Sequence, residues 1–121
     1  MTDAGEHPAE GVEGGLAGVV AAEITAALEE TARALLPVSA VERVGDEFVW
    51  SSDGRRFAVQ AGATASLRIG AEIGAAALRT PDVDGSPLGP DWVAFSPPTL
   101  EGQARDRLIA WFLAAHRRAA P

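Results

Sequence analysis

The sequence predicts an α+β domain, a small antiparallel sheet with an N-terminal and a C-terminal helix packed on it, in the order α-β-β-β-α-β-α. Two observations carry this. Between Phe48 and Ile69, short apolar runs at 48–50, 57–59 and 67–69 are cut apart by Ser51-Ser52-Asp53-Gly54 and Gly62-Ala63. Short β-rich runs bounded by such residues read as an antiparallel meander. On either side, residues 15–36 and 99–118 repeat apolar side chains at every third or fourth position, the spacing that lines one face of an α-helix.

Taken in order, residues 1–14 are rich in Gly, Glu and Ala and nearly without large apolar side chains. Such a segment buries too little to offset its ordering entropy, so a disordered acidic tail is expected, followed by a single domain over 15–121. In the first helix, Leu16, Val20, Ile24, Leu28, Thr31 and Leu35 form the apolar stripe, Glu23, Glu29, Glu30 and Arg33 fall off it, and Pro37 ends it. The ordinary reading is a scaffold helix lying on the sheet. Val41–Val44 is either a further short strand or a linker.

The meander follows. Asp53-Gly54 is its strongest local signal, because a tight hairpin needs positive φ at its turn residues and these two tolerate it. Phe48, Val49 and Trp50 alternate poorly, which fits burial on both faces or a bulge. In the second strand the alternation puts Phe57, Val59 and Ala61 on the buried face and Arg56, Ala58 and Gln60 outward. In the third, Ala65, Leu67 and Ile69 share one face and Ser66 and Arg68 the other.

Residues 71–78 predict a short helix turning Ile73, Ala77 and Leu78 inward, weakened by Gly74 and closed by Thr80-Pro81. Residues 81–90 hold three prolines and two glycines and read as an irregular connection. Trp92–Phe95 is the fourth strand, with Trp92 and Ala94 on one face and Val93 and Phe95 on the other. Thr99 is the expected N-cap of the last helix. Leu100, Ala104, Leu108, Trp111, Phe112 and Ala115 are its buried stripe, Glu101 and Arg105 a favourable i,i+4 pair, and Arg117 and Arg118 suit its C-terminal end.

Composition excludes several kinds of chemistry. The chain has no Cys, which removes disulfides, thiolate nucleophiles and Cys-based metal sites and fits a cytoplasmic setting. No apolar run approaches the roughly 20 residues that span a bilayer, and the acidic start lacks the features of a secretion signal; no membrane partner is expected. The net charge of −7 is uneven: residues 1–36 hold seven acids and one Arg, whereas 37–121 hold ten acids and nine Arg. The acidity therefore belongs to the tail and first helix, and a local basic face is compatible with it. All ten basic residues are Arg, which reads as a coding-composition bias.

The motifs of catalysis are thin. The glycines before the first helix lack the preceding strand and following Lys of a phosphate loop. Asp82-Val83-Asp84-Gly85-Ser86 starts like a calcium loop but has Val93 where the closing Glu belongs. His7 falls in the tail and His116 in the last helical turn, where a surface position is expected; two distant His without Cys do not make a metal site. The most informative polar set is Arg55, Arg56, Arg68 and Arg79, which with Trp50 or Trp92 nearby suits an anion or a stacked base. Its ordinary alternative is solvated Arg paired with Asp46, Glu47 or Glu72. Trp111 is expected in the core.

Phe57, Leu67-Arg68-Ile69, Leu78–Val83, Trp92-Val93 and Leu108–His116 occur in an order and spacing that resembles the MmcQ/YjbR-like family of small bacterial proteins, over about residues 30–119. The resemblance implies a compact double-wing fold and a DNA-binding function. The chain departs from the pattern in having no Lys, with Arg68 at the strand position, and in reading Ala114-Ala115-His116 near the end. No catalytic residue is carried over. The strand–Trp-Val–helix ending is also similar to that of the small luciferase-named domain.

The leading functional expectation is a non-catalytic cytoplasmic binding or interaction module, without cofactor or metal, using Arg56, Arg68 and Trp92. Its partner is an unknown protein or a small anionic ligand. Nucleic acid is the alternative that the resemblance implies and the charge opposes. A small enzyme using Asp91 or His116 beside the 81–90 loop is the third.

Overall fold

The computed structural model describes the backbone of residues 8–35 and 39–119 and the side chains of 17–34 and 39–119. The elements run α1 (Pro8–Leu35), β1 (Ser39–Val44), β2 (Glu47–Ser52), β3 (Arg55–Ala61), β4 (Thr64–Arg68), α2 (Ala71–Ala77), β5 (Val83–Gly85), β6 (Trp92–Phe95) and α3 (Gly102–Ala119). The six strands form one sheet in the order β1-β2-β3-β4-β6-β5, antiparallel throughout. The α+β class and its flanking helices are as the sequence implies.

Two strands exceed the expected order. Val41–Val44 resolves as the larger part of β1, and the 81–90 connection contains β5, which pairs Val83 with Phe95 and Gly85 with Val93. Both are edge strands. β1 is almost wholly exposed, so it lacks the apolar alternation that marks a half-buried strand.

The turns follow their residues. Asp53 and Gly54 both take positive φ (54° and 78°), the tight hairpin geometry that this pair favours. Between β2 and β3 the register shifts: Trp50 pairs with Ala58 but Ser51 pairs with Arg56. Phe57 is therefore an extra residue on β3, a bulge. It places Phe57 and Ala58 on the same face and inverts the expected alternation: Ala58 and Gln60 turn inward, Val59 lies on the opposite face, and Ala61 is exposed.

All three helices lie on the face that carries Trp50, Ala58, Leu67 and Val93. Phe112 of α3 meets Trp50 edge-on at 5.7 Å and Phe57 at 5.4 Å, and Trp111, only partly buried, meets Phe95 at 5.3 Å. Val20, Ile24, Leu28 and Thr31 of α1 are buried, as the stripe predicts; the side chains of Leu16 and Leu35 lie outside the described residues. Gln60, 2% exposed, joins α1 to the sheet. Its Nε2 donates to the carbonyls of Ala21 (2.8 Å) and Gly62 (2.9 Å), and its Oε1 accepts from Thr25 Oγ1 (2.9 Å).

The helices differ from expectation at their ends and faces. α1 is described from Pro8, upstream of the Gly15 start that the stripe suggests; a proline costs nothing in the first turn, where its missing N–H has no helical partner. Residues 1–7 of the expected tail lie outside the described residues. α3 begins at Gly102, so Thr99 is not its N-cap and Leu100 is buried ahead of it. Glu101 precedes the helix, and Arg105 pairs with Glu30 of α1 instead (3.5 Å). α2 approaches the sheet through Gly74 and Ala77, leaving Ile73 and Leu78 about half exposed. Its small side chains make the contact because a close approach to Val93 leaves no room for large ones.

Candidate functional site

The face of the sheet opposite the helices carries no described helix. Its rows follow from the register. Glu42, Val49, Val59, Ser66, Ala94 and Asp84 make one row, Val59 being buried between its strand neighbours. The next row, toward the sheet end with the Asp53-Gly54 turn, is Ser51, Arg56, Arg68 and Trp92. Arg56 stays outward because the bulge separates it from Ala58; Arg68 and Trp92 stay outward by simple alternation from Leu67 and Val93.

There Arg55, Arg56, Arg68 and Trp92 line an open hollow of about 270 Å³. The three residues singled out from sequence, Arg56, Arg68 and Trp92, are thus neighbours. Arg55 of the same Arg set joins them, and Arg79, in the turn after α2, is not among the lining residues. Trp92 is 8% exposed, because the segment before it folds over the indole. Trp92 N–H donates to the Gly89 carbonyl (3.1 Å), and Gly89 stands where an added Cβ would lie 3.5 Å from Trp92 Cδ1. Ser86 Oγ donates to Ser66 Oγ (3.3 Å) and holds the start of that segment to the same face.

Electrostatics at the hollow are one-sided. Arg68 pairs with Asp91 at 3.9 Å, and Asp91 also faces Arg118 of α3 at 3.8 Å. The partner is therefore Asp91, and not the Asp46, Glu47 or Glu72 that the sequence offers. Both contacts exceed hydrogen-bond length and all three groups are substantially exposed, so these pairs are weak and leave the Arg68 donors uncommitted. Arg55 and Arg56 make no ion pair among the described residues. The Asp91 backbone is better held: its carbonyl accepts from Gly70 N–H at 2.9 Å. Gly70, at φ 88°, lies under Arg118, whose Nη1 would be 2.8 Å from an added Cβ.

The two groups considered for catalysis are kept apart in role. Among the described residues the Asp91 carboxylate pairs only with the guanidinium groups of Arg68 and Arg118. His116 is half-buried, not at the surface: its ring stands edge-on to Phe57 at 5.3 Å and its Nε2 is buried without a hydrogen-bond partner. Among the described residues Trp50 Nε1 and Ser52 Oγ are likewise buried without partners, and Ser52 is the cross-strand partner of Arg55. Among the described residues no cluster of three His, Asp or Glu is placed to hold a metal, and no helix is long and apolar enough to cross a membrane.

Sequence reasoning missed the Asp91–Arg118 contact. Asp91 immediately precedes Trp92, and its link to a residue in the last turn of α3 has no local signature. Comparison of the chain with protein-family models, curated proteins and solved structures finds no match.

Proposed function

We propose that the chain is a non-catalytic binding module whose ligand is a small anion seated in the Arg55–Arg56–Arg68–Trp92 hollow. One observation carries this: three arginines, Arg55, Arg56 and Arg68, line one hollow in a chain of net charge −7. Like charges placed together repel, and two of the three have no acidic partner among the described residues. An anion resolves that repulsion, and arginine's planar fork suits oxyanions. The volume lies just below the roughly 300–1,000 Å³ typical of small-molecule sites, which favours a small ligand. Nucleic acid, implied by the family resemblance, would meet the same guanidinium groups, but the seven acids of residues 1–36 oppose the approach of a polyanion.

The test is thermal unfolding with increasing sulfate at constant ionic strength, for the native chain and Arg56→Gln. A ligand that binds only the folded state stabilises it by about 1.8 kcal/mol at twenty times its Kd. The native chain should gain accordingly and Arg56→Gln should gain much less. Equal responses would mean that sulfate acts by general exclusion and that the hollow is not a site. In parallel, binding to labelled duplex DNA that weakens steeply with salt would favour the nucleic-acid alternative.

A further inference from the structure

The hollow also bears on which anion it takes. Three arginines line it, and the adjoining Asp91 is set between Arg68 and Arg118. Counting those four Arg and one Asp, the local charge is +3. A carboxylate offers one negative charge and two oxygens, which a single guanidinium satisfies in a bidentate pair. It would leave two of the lining arginines without a counterion. A phosphate monoester carries a charge of about −1.5 to −2 near neutral pH and three strong acceptor oxygens, one for each lining guanidinium. The carboxylate of Asp91 offsets this only weakly, at 3.9 Å from Arg68 and 3.8 Å from Arg118, so the cluster keeps more positive charge than a monoanion balances.

We infer that the hollow recognises the dianionic phosphate of a phosphorylated small molecule, with Arg55, Arg56 and Arg68 each addressing the phosphate and Trp92 forming the wall beside it. This rests on the anion-binding reading above and specifies its ligand class. The open side of the hollow leaves the esterified group toward solvent, so the phosphate is the shared recognition element and the rest of the ligand adds the remaining specificity.

The experiment is isothermal titration calorimetry of the full chain at pH 7.5 and low salt with phenyl phosphate and phenyl sulfate. The two probes are nearly identical in shape and differ by up to one unit of charge. An additional charge roughly 5 Å from the guanidinium cluster in a largely aqueous dielectric is worth about a five- to tenfold tighter Kd. Phenyl phosphate should therefore bind about five- to tenfold more tightly, and Arg56→Gln, a change at an exposed residue, should narrow the gap. Equal affinities for the two probes would overturn the dianion class and leave the anion site standing. Binding of neither probe at millimolar concentration would remove the site and the inference together. A phosphoserine peptide that binds at least tenfold tighter than phenyl phosphate would replace the small molecule by a protein segment.

Discussion

Replacing Gln60 by Met tests how α1 is attached to the sheet. The two side chains are similar in length and volume, so the substitution removes polar contacts and opens little cavity. The contacts are the Nε2 bonds to Ala21 O and Gly62 O, at 2.8 and 2.9 Å, and the bond accepted from Thr25 Oγ1 at 2.9 Å. At about 0.5–1.5 kcal/mol net for each hydrogen bond, the loss spans about 1.5–4.5 kcal/mol. Two features place it toward the lower end. Ala21 O retains the Thr25 hydroxyl at 3.0 Å, and Gly62 is exposed, so its carbonyl can turn to water. Burying a thioether in place of an amide also recovers part of the loss. The expected destabilisation is about 2 kcal/mol, which at an urea m-value of about 2 kcal/mol/M lowers the midpoint by about 1 M. The fluorescence of buried Trp50 reports the transition. Thr25→Val supplies the second leg of a double-mutant cycle, with an expected coupling near 1 kcal/mol. A midpoint that stays put or rises in Gln60→Met, or strict additivity with Thr25→Val, would show that Gln60 is merely tolerated at that position and does not anchor the helix.

Two further substitutions probe the helices. Gly74→Ala should stabilise the fold by about 0.5–1 kcal/mol, because the glycine lies inside α2 and an added Cβ would meet Val93 Cγ1 at 3.6 Å, an ordinary contact; a lowered thermal midpoint would show that α2 cannot accept even a methyl against the sheet. Phe112→Ala should cost about 3–5 kcal/mol, since the ring is fully buried between Trp50 and Phe57; loss of the near-ultraviolet circular dichroism at room temperature is the expected sign, and a fully folded variant would contradict the packing.

Where local chemistry decides conformation, residues speak for themselves. Asp53-Gly54 reads as a hairpin turn and both residues take positive φ. The spacing of Val20, Ile24, Leu28 and Thr31 reads as a helix face and all four are buried. Ala65, Leu67 and Ile69 against Ser66 and Arg68, and Trp92 against Val93, sort onto opposite faces by alternation alone. That alternation made Arg68 and Trp92 legible as outward neighbours in advance. Arg56 is the instructive member of the set. Alternation groups it with Ala58 and Gln60 as outward residues, yet only Arg56 faces out, because the extra residue Phe57 resets the strand between them.

The sequence by itself therefore determined the α+β class, the hairpin turn, the buried faces of the long helices and the outward setting of Arg56, Arg68 and Trp92, three of the four residues lining the hollow. Each depends on a few adjacent side chains and a period of about two or 3.6 residues. Tertiary structure alone decided the bulge at Phe57, the inward Gln60, the edge strands β1 and β5, the exposed Ile73 and Leu78, and the meeting of Asp91 with Arg118. These are settled by which surfaces compete for the same space across the chain. A bulge depends on what its partner strand and covering helix can accept, and an edge strand is held mainly by backbone hydrogen bonds to its neighbour. A long-range ion pair such as Asp91–Arg118 exists only once the loop before β6 and the end of α3 have been brought to the same end of the sheet.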